Sequence, residues 1–449
     1  MLSLTEVKDM ISSNRGRHVK VGLFDIDGIL RGKYLSADKF LSALDGGFGF
    51  CDVVMGWDMD DQLYDNVSFT GWHTGYPDAT ARVVPESYRS LEMEGGTPFF
   101  LSEFIGRAAE ICPRNLLQRV LKRAKVMGYS VKAGIEYEFF VFDETPESAR
   151  EKGFRNLKPL SPGAFGYSVL RSCEHAEFYQ ALLKGAAGLG INIEGLHEET
   201  GAGVLEAALT VDDGLAAADN AALFKMMAKV VARAHGKMVT FMAKSCQEWP
   251  GQSGHMHLSL WKDGQSAFFD AEEDHHMSLV MRQFVAGQRD LMPEVLAMIA
   301  PTINAYRRMV PGFWAPTTST WGVENRTCAL RVIPGSKKSQ RVEYRISAAD
   351  ANPYLALAAA IASGLWGVEN DRDPGAPMTG NAYDIPVADE HKLPLTLWDA
   401  AQRLRASEPA RNWFGDAFVD HFAATREWEE REFRKHVTDW ELKRYFEII

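Results

Sequence analysis

Apolar and polar positions along this chain switch between a helical and a strand-like period, and the switches outline its elements. Residues 4–13 carry apolar side chains at helical spacing and predict a short amphipathic helix. Residues 18–27 are strand-like, and Asp25-Ile-Asp-Gly28 supplies a hairpin turn into a second strand at 30–34. Residues 46–75 are rich in Gly, Asp and aromatics with weak periodicity and read as loop. Short strands are predicted over 81–104, and Pro113 opens a helix that runs to residue 127. Strand patterns recur at 131–143, 192–195, 203–210, 238–243, 254–261, 326–333 and 340–346, with a Pro/Gly-rich loop at 155–167. Helices are predicted at 174–189, 213–235 and 277–299, in an Ala-rich buried segment at 353–368, and through the tail at 398–446 with its Trp413, Trp428 and Trp440. This order predicts an α+β protein: a small β-rich N-terminal domain over residues 1–106, then a catalytic domain with a large antiparallel sheet over 107–449 and a helical tail.

One predicted strand breaks its own pattern. Residues 134–143 read Gly-Ile-Glu-Tyr-Glu-Phe-Phe-Val-Phe-Asp, an apolar and aromatic run with Glu136 and Glu138 inside it. Strand side chains alternate faces, so both carboxylates point the same way, roughly 6–7 Å apart. Such a pair is either a solvated acidic face or a site where a divalent cation offsets the charge.

Composition narrows the setting. The chain has 449 residues, 46% of them hydrophobic, enough for a sizeable core. The net charge of −11 argues against a nucleic-acid surface. The five cysteines are scattered and form no C-x-x-C, as expected of a reduced cytoplasmic protein without a disulfide or zinc framework. Residues 1–16 are polar and mixed in charge, with no pattern of a signal peptide, and the apolar helix at 353–368 is too short to span a membrane.

Four further stretches repeat the anomaly. His197, Glu198, Glu199 and Glu206 surround a Gly201-Ala-Gly203 turn. In 254–261, His255, His257 and Ser259 share one strand face. In 340–346, Arg341, Glu343 and Arg345 do the same, and Arg326 and Arg331 stand at either end of another apolar strand. Each alone reads equally as a satisfied core histidine or an exposed ion-pair face. Together they combine carboxylates and an imidazole suited to Mg²⁺ or Mn²⁺ with arginines suited to phosphate and carboxylate groups. That is the equipment of phosphoryl transfer, in a chain without Walker A or kinase glycine loops.

These motifs resemble, in order, those of the glutamine synthetase family. They are Glu136-Tyr-Glu138, His197-Glu198 through Glu206, the Gly-His-Met-His-Leu-Ser-Leu strand at 254–260, Asn325-Arg326 to Arg331, and Arg341-Val-Glu343-Tyr-Arg345 followed by Asn352-Pro-Tyr354. The resemblance covers most of the chain and is strongest over 111–370. It implies a β-grasp-like N-terminal domain, a curved antiparallel catalytic sheet, ATP as substrate, and two or more Mg²⁺ or Mn²⁺ ions per site. It places a first metal on Glu138, Glu198 and Glu206, and a second on Glu136, His255 and Glu343. Arg308, Arg345 and Gly251 would bind glutamate. Arg326 would stabilise the transferred phosphoryl group. Arg331, Arg341, His257 and Ser259 would face the nucleotide and its phosphates. It also implies homo-oligomers, two hexameric rings or the decamers of some relatives, with sites formed between subunits. Asn381-Ala-Tyr383 resembles a loop that some members adenylylate; one tyrosine in a turn carries no such inference here.

The chain departs from the family at the acceptor side. Arg308-Met-Val-Pro-Gly-Phe-Trp-Ala-Pro316 puts Trp314 where the family's flap has a glutamate that serves ammonium. The family's Asp-Gly-Ser-Ser loop is not recognisable; residues 50–57 occupy that region, with Asp52 as the candidate substitute carboxylate. An aromatic ring is no general base, but it offers an apolar wall and a cation–π face to an alkylammonium. The expectation is therefore an ATP-dependent glutamate–amine ligase acting through a γ-glutamyl phosphate. The alternatives are a glutamine synthetase using ammonia and a non-catalytic structural oligomer.

Overall fold

The computed structural model describes residues 2–13 and 16–449. Its strands, in chain order, are β1 (His18–Phe24), β2 (Leu30–Ser36), β3 (Phe48–Cys51), β4 (Asp78–Val83), β5 (Arg89–Leu91), β6 (Thr97–Phe104), β7 (Ser130–Phe142), β8 (Ile193–Glu198), β9 (Val204–Leu209), β10 (Asp212–Asp213), β11 (Met238–Thr240), β12 (Gly254–Lys262), β13 (Gln265–Ser266), β14 (Trp321–Val323), β15 (Leu330–Ile333) and β16 (Arg341–Tyr344). They form two sheets. The first runs β2-β1-β6-β4-β3 with β5 on β6, and the second β14-β15-β16-β12-β7-β9-β8.

The N-terminal sheet starts from the predicted hairpin. Asp25 and Gly28 close the turn, Gly28 taking φ +79° and donating its N–H to Asp25 O at 3.1 Å. One face buries Val19, Val21, Phe100 and Phe104 against the helices Leu4–Ser12 and Ala37–Gly46. Phe24, Phe99 and Leu101 join the main core instead. A buried ion-pair network ties β6 to two helices: Arg114, on the helix Pro113–Val126, contacts Glu103 of β6 and donates from Nε and Nη2 to Asp219 of the helix Gly214–Ala234, each at 3.0 Å.

The second sheet is built on β7, whose thirteen residues are long enough to pair β12 on one side and β9 on the other. Its odd-numbered residues Val131 to Phe139 are buried. Tyr137 stacks on Phe224 of the helix Gly214–Ala234, and Phe139 meets the same ring edge-on. The even-numbered face carries Glu136 and Glu138. All pairings in this sheet are antiparallel except β14 with β15. The helix Pro353–Glu369 is almost wholly buried, as its Ala-rich run predicts.

Several expectations are corrected. The 46–75 loop contains β3 and a short helical turn at Asp52–Met55. The strand expected at 326–333 begins only at Leu330, so Arg326 lies in the preceding turn rather than at a strand end. Two short helices, Pro146–Glu151 and Val169–Glu174, were not visible in the periodicity. Of the tail tryptophans, Trp413 and Trp428 are buried and Trp440 is exposed. No helix among the described residues is long and apolar enough to cross a membrane.

Candidate active site

Cross-strand register gathers the anomalous residues onto one face. Glu138 of β7 pairs directly with Glu206 of β9, and Glu136 with His255 of β12. His257 pairs with Glu343 of β16, Glu343 pairs with Arg331 of β15, and His197 of β8 pairs with Glu206. Directly paired antiparallel residues present their side chains on the same side, so six strands converge on one cluster.

Three groups of ligand atoms within 4.8 Å of one another result: Glu136–His255–Glu343, Glu138–Glu206–His255 and His197–Glu199–Glu206. The first is the set expected for the second metal. The set expected for the first metal is not assembled as predicted. Glu198 pairs with Leu205, which turns its side chain to the opposite face, and its Oε2 accepts from Ser161 Oγ at 2.9 Å. Glu199 takes its place, continuing the hairpin through its N–H to Val204 O. Spacing alone did not separate two consecutive glutamates; the strand alternation relative to Glu206 does.

The electrostatics show how much negative charge this face holds. Burial, reinforced by Glu138, Glu136, Glu199 and Glu343, pushes the Glu206 carboxyl up to about 9. Burial raises Glu138 to about 7, although Ser253 N–H donates to its Oε2 at 2.6 Å. Burial keeps His255 neutral by lowering its pKa well below the usual range. His197 Nε2 is buried without a hydrogen-bond partner among the described residues, 3.7 Å from Glu206 Oε1. Hard carboxylate oxygens, neutral imidazoles and an orphaned ring nitrogen fit divalent cations such as Mg²⁺ or Mn²⁺.

The arginines flank this cluster. Glu343 sits between Arg345, Nη1 to Oε1 2.5 Å, and Arg331, Nη1 to Oε2 3.1 Å. Although burial opposes it, Arg345 foremost among the nearby cations holds the Glu343 carboxyl down at about 2. Arg341 Nε donates to His257 Nδ1 at 3.1 Å, and His257 Nε2 lies 3.1 Å from Glu136 Oε1. Arg308 is only 1% exposed; it donates to Ile346 O, Arg345 O and Ser253 Oγ, so most of its guanidinium is committed to the backbone behind the cluster. Nε of Arg308 and Nε of Arg345 are buried without partners among the described residues. Gly251 lies against Arg308: a Cβ there would come within 2.5 Å of Arg308 Cγ and of Ala243 O. Arg326 is exposed in its turn, and its charge acts on the Tyr167 phenol.

Beside Glu136 opens a cleft of about 1030 Å³. Lys132, His257, Ser259, Lys337, Lys338 and Arg341 line it, with Trp261 and Phe269 as its aromatic walls. Ser259 Oγ accepts from Trp261 Nε1 at 2.9 Å. The cleft is of nucleotide size, and its lining joins these cations to Glu136.

On the opposite side, Tyr167 stacks on His197 with ring centroids 4.5 Å apart, its hydroxyl 3.4 Å from Glu199 Oε1. Sequence reading passed over Tyr167 because it lies in an irregular loop. Trp314 is 55% exposed, with φ +61°, on the loop that follows the helix Ala305–Arg308. Asp52 is no free carboxylate: it is buried and accepts from Thr70 Oγ1 at 2.6 Å.

Comparison with known proteins places this arrangement. Residues 110–445 match the glutamine synthetase catalytic domain. The chain is 45% identical to type-1 glutamine synthetase 2 of Dictyostelium discoideum, over 99% of this chain and 86% of that one. It is 36% identical to the glutamate–isopropylamine ligase of a Pseudomonas species, over 99% and 98%. A solved GmaS structure in complex with ADP superposes with a TM-score of 0.85 at 26% identity, over 99% of this chain and all of that one.

Proposed function

The chain belongs to the glutamine synthetase family, and from that premise we propose that it joins L-glutamate to a primary amine, forming a γ-glutamyl amide with ATP as the activating substrate. The observation that carries the reading is the pairing of three overlapping carboxylate–imidazole groups with a cation-lined cleft beside Glu136. Family membership implies ATP and divalent metal.

Glu138, Glu199 and Glu206 would hold the cation on the glutamate side, and Glu136, His255 and Glu343 the one on the nucleotide side. The bound ions supply charge neutralisation for phosphoryl transfer. The chain's own residues do the rest. The cleft lined by Ser259 and Lys338 seats the nucleotide, and Arg341 and Arg331 offset phosphate charge while orienting His257 and Glu343. The unpartnered Nε atoms of Arg308 and Arg345 are donors for the glutamate carboxylates. Gly251 leaves the room that any side chain would fill. Arg326, exposed in its turn, is free to swing onto the transferred phosphoryl group. The γ-carboxylate oxygen attacks the γ-phosphorus and ADP leaves. The amine nitrogen then attacks the acyl carbon, and phosphate departs as the amide forms.

The acceptor is assigned as an amine larger than ammonia because Trp314 stands where ammonia-using members carry a glutamate, and because the similar Pseudomonas ligase is named for isopropylamine. A second reading, ammonia as acceptor, is favoured by the name of the Dictyostelium relative. The division into domains 1–106 and 107–449, a cytoplasmic location and a ring oligomer such as a dodecamer belong to the same proposal.

The test is ADP release coupled to a spectrophotometric readout, with glutamate plus ammonia against glutamate plus methylamine, isopropylamine, ethanolamine and a polyamine. Higher kcat/KM for one of the primary amines is expected. Equal or better turnover with ammonia transfers the case to the second reading, and no acceptor-dependent ADP release rejects both.

A further inference from the structure

The segment that carries Trp314 belongs to no helix or strand between residues 309 and 320. It is nevertheless gripped on both sides of the tryptophan. Phe313 is half-buried beneath the Lys244 ammonium, whose Nζ lies 4.2 Å from the ring centroid. Ala315 is 2% exposed, and its carbonyl accepts from the Tyr383 hydroxyl at 3.0 Å. Trp314, between them, projects outward with a left-handed backbone that a bulky side chain adopts only under constraint.

Each grip is itself anchored to the site. Lys244 is largely buried, and its Nζ donates to Trp249 O at 2.5 Å rather than to a carboxylate. Its backbone is bracketed by Asn304, N–H to Oδ1 2.7 Å and O to Nδ2 2.9 Å. The loop it opens ends at Gly251, packed on the Arg308 stem. A buried ammonium with no ion pair among the described residues is costly, and an aromatic face with a carbonyl is the compensation the fold provides. Tyr383 is half-buried in the short helical turn Ala382–Asp384, close enough to Arg345 and Arg308 for both charges to act on its phenol.

We propose that Lys244 and Tyr383 are positioning residues that clasp the Trp314 segment at Phe313 and Ala315 and so set the wall of the acceptor-amine site. The proposal rests on the ligase reading above. It also predicts what the clasp prevents. With the segment loosened, water attacks the acyl carbon of the γ-glutamyl phosphate in place of the amine. The bond from that carbon to the phosphate oxygen breaks, and glutamate and inorganic phosphate are released with ATP consumed.

The experiment compares the wild-type full chain with Tyr383→Phe, Lys244→Met and Lys244→Arg. It measures KM for amine, ammonia, glutamate and ATP, glutamate-dependent ADP release without acceptor, and thermal midpoint. Loss of one hydrogen bond or cation–π contact is expected to raise the amine KM and the acceptor-free ADP release each about fivefold. KM for glutamate and ATP should stay within about twofold, and Lys244→Arg, which keeps a cation over Phe313, should restore both readouts. The clasp is overturned if folded Tyr383→Phe and Lys244→Met match wild type in both readouts. It is equally overturned if all KM values rise together with a fall in thermal midpoint. If wild type uses only ammonia, the amine assignment falls while the ammonia KM and acceptor-free release still judge the clasp.

Discussion

Glu138 and Glu206 face each other as direct partners across β7 and β9, two carboxylates at one rung of a buried sheet. Like charges so placed destabilise a sheet unless they are neutralised. The fold keeps them because the same rung is where cations are to be held, with His255 completing the group. Without cations the two groups hold protons far above their ordinary range, at about 7 and about 9.

That relationship sets a pH dependence. A carboxyl whose folded pKa is raised contributes stability present below its unfolded pKa and lost as pH rises through its folded value. For Glu138 and Glu206 the window runs from about 4.5 up to about 9. The chelator-treated protein should therefore melt at falling temperature as pH is raised from 6 to 9, read by differential scanning calorimetry. Mn²⁺ or Mg²⁺ should reverse most of the loss, and its apparent affinity should rise with pH as the ligands deprotonate. A flat profile in chelator would contradict the buried rung.

Glu199 and Glu198 make a paired test. Glu199→Gln removes an oxygen ligand, and Mn²⁺ binding followed by titration calorimetry should weaken by about 10–100-fold. Glu198→Gln keeps the contact with Ser161 on the far face and should leave Mn²⁺ affinity within about threefold. The reverse ranking would restore Glu198 to the cluster.

Gly251 is held to glycine by space. In Gly251→Ala the new methyl group meets Ala243 O and Arg308 Cγ at 2.5 Å. Overpacking of this kind costs about 1–3 kcal/mol. Because the strain falls on Arg308, the glutamate KM should rise more than the ATP KM in steady-state assays.

Trp314→Glu returns a carboxylate to the flap. The ratio of kcat/KM for ammonia to that for the preferred amine should rise by about tenfold or more, the size of effect that one pocket substitution commands. An unchanged ratio would separate Trp314 from acceptor choice.

Much of this was legible because strand alternation is local. Glu136 and Glu138, His255 and His257, and Arg341 and Glu343 each share a face in the sequence and in the fold. The helices at Pro113–Val126, Gly214–Ala234, Leu279–Ile299 and Pro353–Glu369 were read within two residues because each has a clear period or cap. β3 escaped because four residues are too few to show a period. Arg326 was misplaced because an apolar run does not mark where pairing begins.

Residue type, motif order and which residues of a strand share a face were determined by the sequence alone, since they follow from a two-residue repeat and from spacing. Which side chains meet was decided only by the tertiary structure. The register of β8 on β9 sends Glu198 to Ser161 and leaves Glu199 beside Glu206. The buried path of Arg308 ties it to backbone carbonyls, and a chain separation of 68 residues brings Tyr383 to Ala315. These depend on long-range pairing and on what burial leaves unpartnered, and no local pattern encodes either.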